Sequence, residues 1–225
     1  MNLTKLFQIQ KVLDQKIIEK HGLQDIDRLP YLILALQVEL GECANEWRGF
    51  KFWSGNNRPS SSIHTTAGAT VENAEFLDCG ECHSSIARND YSFETVERNG
   101  ECPACGSGSI MLFRLKNPLL EEYVDCLHFF LSIGISIGHT DFEAWEYSDT
   151  KDVTKQFLAV FGNIVDIARN FEDKDNIEPD DCVVYEAAFA HFLSLGKMLG
   201  FSPGEIEDAY LAKNKINHER QDTGY

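Results

Sequence analysis

Between Asn117 and Gly138 the chain reads NPLLEEYVDCLHFFLSIGISIG, one of its most apolar stretches, yet Glu122, Asp125 and His128 recur at every third position inside it. Asn117-Pro118 reads as a cap followed by the first helical residue, with a helix running to Gly134 or Gly138. With Leu119 at the origin of a helical wheel, Leu119, Leu120, Tyr123, Val124, Leu127, Phe130 and Leu131 fall between 0° and about 140°. Glu122, Asp125 and His128 fall at about 300°, 240° and 180°, with Phe129 and Ile133 beside them. The titratable groups are bordered by apolar ones, whereas an ordinary amphipathic helix would centre them on a polar face. Such a helix belongs in a core, and its acids are tolerable only around a charge-compensated pocket. The rest of the chain has to wrap around it.

The remaining periodicity is helical almost everywhere. Leu3 to Lys20 carries apolar residues at helical spacing and ends at Gly22; Pro30 to Arg48, Thr150 to Phe171 and Cys182 to Leu199 follow the same rule. The last helix, Pro203 to Arg220, opens on a capping box, Ser202 with Glu205 three residues on. Between them, SGNNRPSSSIHTTAGAT has the texture of a loop, and residues 76–116 hold four cysteines and short β-like runs such as SIMLFRL. The expected fold is all-α: a helical bundle formed by 1–54 and 117–225, a flexible linker over 55–75, and a small inserted module over 76–116.

A net charge of −16 argues against a nucleic-acid partner, which would need a basic face, and suits a protein that collects cations. The opening MNLTKLFQIQ has no basic stretch followed by an apolar block, so no secretory leader is expected. The longest apolar run is too short and interrupted for a membrane span. Seven cysteines, four of them in CxxC pairs, point to a reducing, cytoplasmic setting and metal-bound thiolates. Cys79-x2-Cys82 and Cys102-x2-Cys105 are separated by nineteen residues, the spacing of a zinc ribbon in which four thiolates share one tetrahedral Zn2+. CPACGSG supplies a glycine where the knuckle needs positive φ. All four positions are cysteine, so the site is closed and structural. Two redox pairs would need a thioredoxin-like βαβ setting that is missing here. The segment is acidic, and it is expected to lack a core of its own.

A second acidic helix complements the first. With Glu39 at zero, Glu42 and Glu46 lie at about 300° and 340°, a stripe flanked by Tyr31 and Val38 on one side and Leu32, Leu36 and Cys43 on the other. ExxE (Glu39, Glu42) and ExxD (Glu122, Asp125) offer four carboxylates, the hard oxygen ligands that suit Mg2+ or Mn2+. A di-iron bundle would need Glu-x-x-His on two helices, whereas Asp125-x-x-His128 occurs once. Glu121 reads as a helix-start charge favouring the dipole. On the last helix Lys213, Asn217 and Arg220 share one face, a point charge, an amide and a fork able to hold a polyphosphate and a polar edge.

VELGECANEWRGFKFWS, LLEEYVDCLHFFLSIG and KNKINHERQDTGY resemble, in that order, the two acidic blocks and the terminal K-x3-N-x2-RQ-x2-GY block of the dimeric dUTPases, within the all-α, MazG-like nucleoside triphosphate pyrophosphatases. LFQIQKVLD is similar to that family's first helix, whose glutamine meets the base. The resemblance spans most of 3–54 and 117–225. It implies Mg2+ held by Glu39, Glu42, Glu122 and Asp125, with Glu39 also the base that orients water. It implies phosphates on Lys213, Arg220 and Tyr225, and the nucleoside among Gln10, His128 and Asn217, with Lys51 and Trp53 closing the pocket. It implies a homodimer, and hydrolysis of a deoxynucleoside triphosphate to the monophosphate and pyrophosphate, foremost dUTP, with dCTP or the diphosphate as further candidates. The sequence departs in its long insertion and in Arg48-Gly49-Phe50. A pyrophosphatase for another, modified nucleotide and a non-enzymatic zinc-ribbon adaptor on a helical scaffold are the competing readings.

Overall fold

The computed structural model describes residues 1–171 and 179–224, without the side chains of 179–181. The chain divides into two compact units, one made of 1–59 and 119–225 and the other of 60–118.

The first unit is helical. It contains α1 (Leu3–His21), α2 (Leu29–Trp47), α4 (Pro118–Ser136), α5 (Val153–Asn170), α6 (Pro179–Met198) and α7 (Pro203–Thr223), while α3 (Phe93–Asn99) lies in the second unit. The helix ends follow local chemistry. Asn2 caps α1 by accepting from the Lys5 N–H, and Gly22 closes it at φ 64°. Asp152 caps α5 by accepting from Thr154 and Lys155, which moves that start three residues past Thr150. The Ser202–Glu205 capping box on α7 is present in both directions. α4 is the central helix: Leu119, Tyr123, Val124, Cys126, Leu127, Phe130, Leu131 and Ile133 are almost fully buried. Its Tyr123 stacks on Phe192 of α6 at 4.3 Å and donates to the Phe192 carbonyl. Gly196 is what permits this approach, because a Cβ there would stand 2.4 Å from the Tyr123 hydroxyl.

The second unit is a four-stranded antiparallel sheet in the order β1-β4-β2-β3, from β1 (Ile63–Thr65), β2 (Phe76–Cys79), β3 (Ser85–Ala87) and β4 (Ile110–Lys116). Phe76 sits opposite Phe113 in the β2–β4 register, their rings stacked at 4.8 Å. Two expectations change here. Residues 63–65, inside the expected linker over 55–75, form β1 and pair with Arg114 to Lys116, so the inserted unit begins at Ser60. The module also has a small core of its own: Ala74, Leu77, Ile86, Phe93 and Val96 are buried with Cys79 and Cys102. α3 supplies Phe93 and Val96, which lack the length of pattern that would reveal a helix by periodicity.

Candidate active site

The helical unit holds a cavity of about 840 Å3 lined by α1, α2, α4, α7 and the connection between α1 and α2. One end carries charge. Carboxylate oxygens of Glu39 on α2 and of Glu122 and Asp125 on α4 all lie within 4.8 Å of one another. Lys213 on α7 donates to Asp125 Oδ2 at 2.5 Å, and Asn217 and Arg220 line the same cavity. Burial and the neighbouring acids raise all three carboxyls. Burial leads in each case, helped by Asp125 and Glu42 at Glu39, and it pushes Glu122 up to about 7. Lys213 opposes the shift at each of them. Three acids crowded until they resist ionising form a site that lacks positive charge, and hard divalent cations supply it. In an octahedral oxygen shell at about 2.1 Å, ligand atoms stand about 3 to 4 Å apart, so the donor set and its spacing fit Mg2+ or Mn2+.

Much of the remaining lining is apolar, from Leu13, Ile17, Leu23, Ile26, Leu32 and Phe129, beside His21 and Arg28 and over a buried polar floor. His128 stacks on Tyr210 at 4.3 Å, and its Nδ1 lies 2.7 Å from Gln10 Oε1. Burial, and then Lys213, push the imidazole down to about 3, so it is neutral. Gln10 Nε2 donates to Asp14 Oδ1 at 2.8 Å and to Ser132 Oγ at 3.0 Å, and Ser132 donates to the same Asp14 oxygen.

Most of the expected residues converge. Gln10, Glu39, Asp125, His128, Lys213, Asn217 and Arg220 line one cavity, and Glu122 joins the carboxylate triad. Glu42 stays outside that triad and is exposed, one helical turn from Glu39, although its charge reaches both Glu39 and Glu122. Lys51 and Trp53 do not line the cavity; Lys51 sits over the Phe50 ring, and Trp53 is 67% exposed against Phe50 and Phe52. Tyr225 lies outside the described residues. Sequence reasoning passed over Asp14 and Ser132. Each lies one turn beyond a residue it did choose, Gln10 and His128, and that i, i+4 relation was the available signal.

A family model described as dUTPase matches residues 2–83 and 114–225. The chain belongs to the dUTPase family. No curated protein and no solved structure matches it. As a dUTPase-family member it is a nucleotide pyrophosphatase in the general sense, with a nucleotide as substrate, and enzymes of this kind are typically metal-dependent. The match breaks over 84–113, inside the inserted unit, and its two segments carry every residue of the carboxylate triad and of the cavity. Among the described residues no single helix is long and apolar enough to cross a membrane.

The second cysteine pair falls in the unmatched stretch. Sγ atoms of Cys79 and Cys105 are 3.7 Å apart, and those of Cys82 and Cys102 are 3.8 Å apart. Four thiolates at about 2.3 Å from a tetrahedral Zn2+ stand about 3.8 Å from each other, so the cluster fits that ion. Two matching knuckles present it. The N–H of His83 bonds to the Cys79 carbonyl and that of Gly106 to the Cys102 carbonyl; Cys79 N–H reaches Ser84 and Cys102 N–H reaches Ser107. The residue after each second cysteine has positive φ, 57° at His83 and 73° at Gly106.

Proposed function

We propose that the protein hydrolyses a deoxynucleoside triphosphate, foremost dUTP, to the monophosphate and pyrophosphate: dUTP + H2O → dUMP + PPi. The observation that carries this reading is the meeting of the Glu39, Glu122 and Asp125 cluster with Lys213, Asn217 and Arg220 at a cavity whose lining also includes many apolar side chains. Glu39, Glu122 and Asp125 would hold Mg2+ or Mn2+, with Glu42 at the margin. When bound, such a cation neutralises phosphate oxygens and makes water more acidic. Lys213 and Arg220 meet the remaining phosphate charge, Lys213 as a point charge and Arg220 as a fork. Tyr225 follows them in sequence as a further phosphate contact. Glu39, whose carboxyl burial and the neighbouring Asp125 and Glu42 raise above its ordinary value, would take a proton from the attacking water. Rigid helices supply the positioning. Asn217 and His128 take the nucleoside side, and the apolar walls shield the base.

The cluster of Cys79, Cys82, Cys102 and Cys105 holds a structural Zn2+ that stabilises the inserted sheet. A homodimer belongs to the same reading, supported by Tyr31, Leu34 and Val38, which leave one face of α2 apolar and more than half exposed. The deciding experiment is pyrophosphate release across the deoxynucleoside triphosphates with Mg2+, beside Glu39→Gln. Release from dUTP that vanishes in the variant is the expected result. Release from none of them would overturn the reading in favour of a non-enzymatic scaffold or a modified-nucleotide substrate.

A further inference from the structure

The polar floor of the cavity can be accounted for bond by bond. Gln10 is saturated within the protein. Its amide gives one hydrogen to Asp14 Oδ1 and the other to Ser132 Oγ, while its Oε1 accepts from His128 Nδ1 and from the Tyr210 hydroxyl at 2.8 Å. The amide cannot be turned over, because Oε1 would then face the Asp14 carboxylate. Gln10 therefore has no valence left for a ligand.

Two buried atoms of this floor have no hydrogen-bond partner among the described residues: Asp14 Oδ2 and His128 Nε2. Asp14 is 5% exposed and His128 6%, and both line the cavity. A neutral His128 that donates through Nδ1 is an acceptor at Nε2. Asp14 Oδ1 is occupied by two donors, so Oδ2 is the oxygen left to face a ligand. Burial raises the Asp14 carboxyl, while Gln10, Ser132 and Arg28 favour its charged form; with Asp14 ionised both open valences accept, and a ligand that fills them must donate twice. A deoxynucleoside with an imide base has two donors of its own, the ring N–H and the 3′-hydroxyl.

The order along α4 says which donor goes where. Asp125 lies in the metal-binding cluster, His128 follows one turn later, and Ser132, bonded to Asp14, one turn after that. Asp125 to Ser132 spans about 10 Å of helix, the span from phosphate through sugar to base. On that order His128 would meet the sugar hydroxyl and Asp14 the base.

We propose that Asp14 selects the base by accepting a hydrogen bond from a ring N–H, so that the site takes imide bases such as uracil and disfavours cytosine, whose N3 presents a lone pair. The inference rests on the proposed nucleotide hydrolysis at this cavity and adds the residue that sets specificity. Asp14→Asn is a near-isosteric inversion. Its Oδ1 keeps both donors from Gln10 and Ser132, which leaves an N–H where the carboxylate oxygen was.

The test measures kcat/KM for dUTP, dCTP and N3-methyl-dUTP in the wild type, Asp14→Asn and Ser132→Ala, with thermal melting of each. Asp14→Asn is expected to move the dUTP-to-dCTP ratio at least tenfold toward dCTP, because a buried polar group left facing its like is strongly disfavoured. N3-methyl-dUTP, which lacks the donor, should lose at least tenfold against dUTP in the wild type and much less in Asp14→Asn. Ser132→Ala should slow both natural nucleotides with their ratio unchanged. Equal slowing of dUTP and dCTP in Asp14→Asn would assign Asp14 a structural role only and overturn the proposal. So would N3-methyl-dUTP turned over as well as dUTP by the wild type, a result that needs no variant to fold. If the wild type hydrolyses no nucleotide, the proposed reaction fails, and the same three ligands titrated by calorimetry still decide whether Asp14 reads the ring N–H.

Discussion

The two units gather metal-ligand residues in opposite ways. In the helical unit three carboxylates stand on two long helices already fixed by a large core, and their mutual repulsion is a burden on the fold. In the inserted unit four thiols stand on two turns beside a core of seven buried residues, two of which, Cys79 and Cys102, belong to the cysteine cluster itself. The first arrangement uses a stable scaffold to hold groups that would rather be apart, which is what a reactive site requires. The second uses the ligands to make a scaffold that its apolar residues barely support. Removing a ligand should therefore push stability in opposite directions.

The largest effect is expected at Cys102, a buried member of the cysteine cluster that also belongs to the small core. Cys102→Ser, or removal of zinc by a strong chelator, should unfold residues 60–118 while leaving the helical signal largely intact. Binding of structural zinc contributes on the order of 10 kcal/mol, far more than so small a core supplies. Limited proteolysis read by mass spectrometry, beside far-ultraviolet circular dichroism, checks this. Loss of the helical signal together with the sheet would show that the two units fold as one.

Glu122→Gln should do the reverse. Activity is expected to fall by about a hundredfold or more, the scale of losing one strong electrostatic group from a reacting centre. The melting temperature in Mg2+-free buffer should rise, because one of three crowded acids becomes neutral. A drop in melting temperature would break the comparison.

The same asymmetry carries a pH signature of intermediate size. Glu122 in the folded protein is raised to about 7, so the fold holds that proton more tightly than the unfolded chain does. Its contribution is fully present below the ordinary carboxylate range and is lost as pH rises through about 7. Melts in Mg2+-free buffer, without chelator so that zinc stays bound, should fall between pH 5.5 and pH 8. Added Mg2+ should restore the pH 8 value, and Glu122→Gln should flatten the difference. A melting temperature indifferent to both pH and Mg2+ would mean that the triad does not gather a cation.

What the sequence disclosed follows the same division. Periodicity located the helices of the body to within a few residues because each is long and half apolar. The i, i+3 spacing within α2 and α4 exposed Glu39, Glu122 and Asp125. Spacing within one helix cannot say which of two acids faces a neighbouring helix, and so it does not separate Glu42, which is exposed and outside the triad, from Glu39. Nor can it show that Gln10 is saturated, since its partners come from α1, α4 and α7 together. In the inserted unit CxxC spacing pointed to four cysteines that the fold brings together, but β1 is three residues long and α3 seven, too short to write a period.

The smallest effect tests the two knuckles against each other. They share their hydrogen bonds and their positive φ, yet one places glycine at the left-handed position and the other histidine. A left-handed conformation costs a residue with a Cβ about 1 kcal/mol or more, and glycine is free of that cost. His83→Gly should tighten apparent zinc affinity roughly fivefold, as about 1 kcal/mol implies, whereas Gly106→Ala should weaken it by a similar factor. Competition with a chromophoric chelator measures both. If His83→Gly instead weakens zinc binding, the imidazole contributes a contact that outweighs its backbone strain, and the likeness of the two knuckles ends at the main chain.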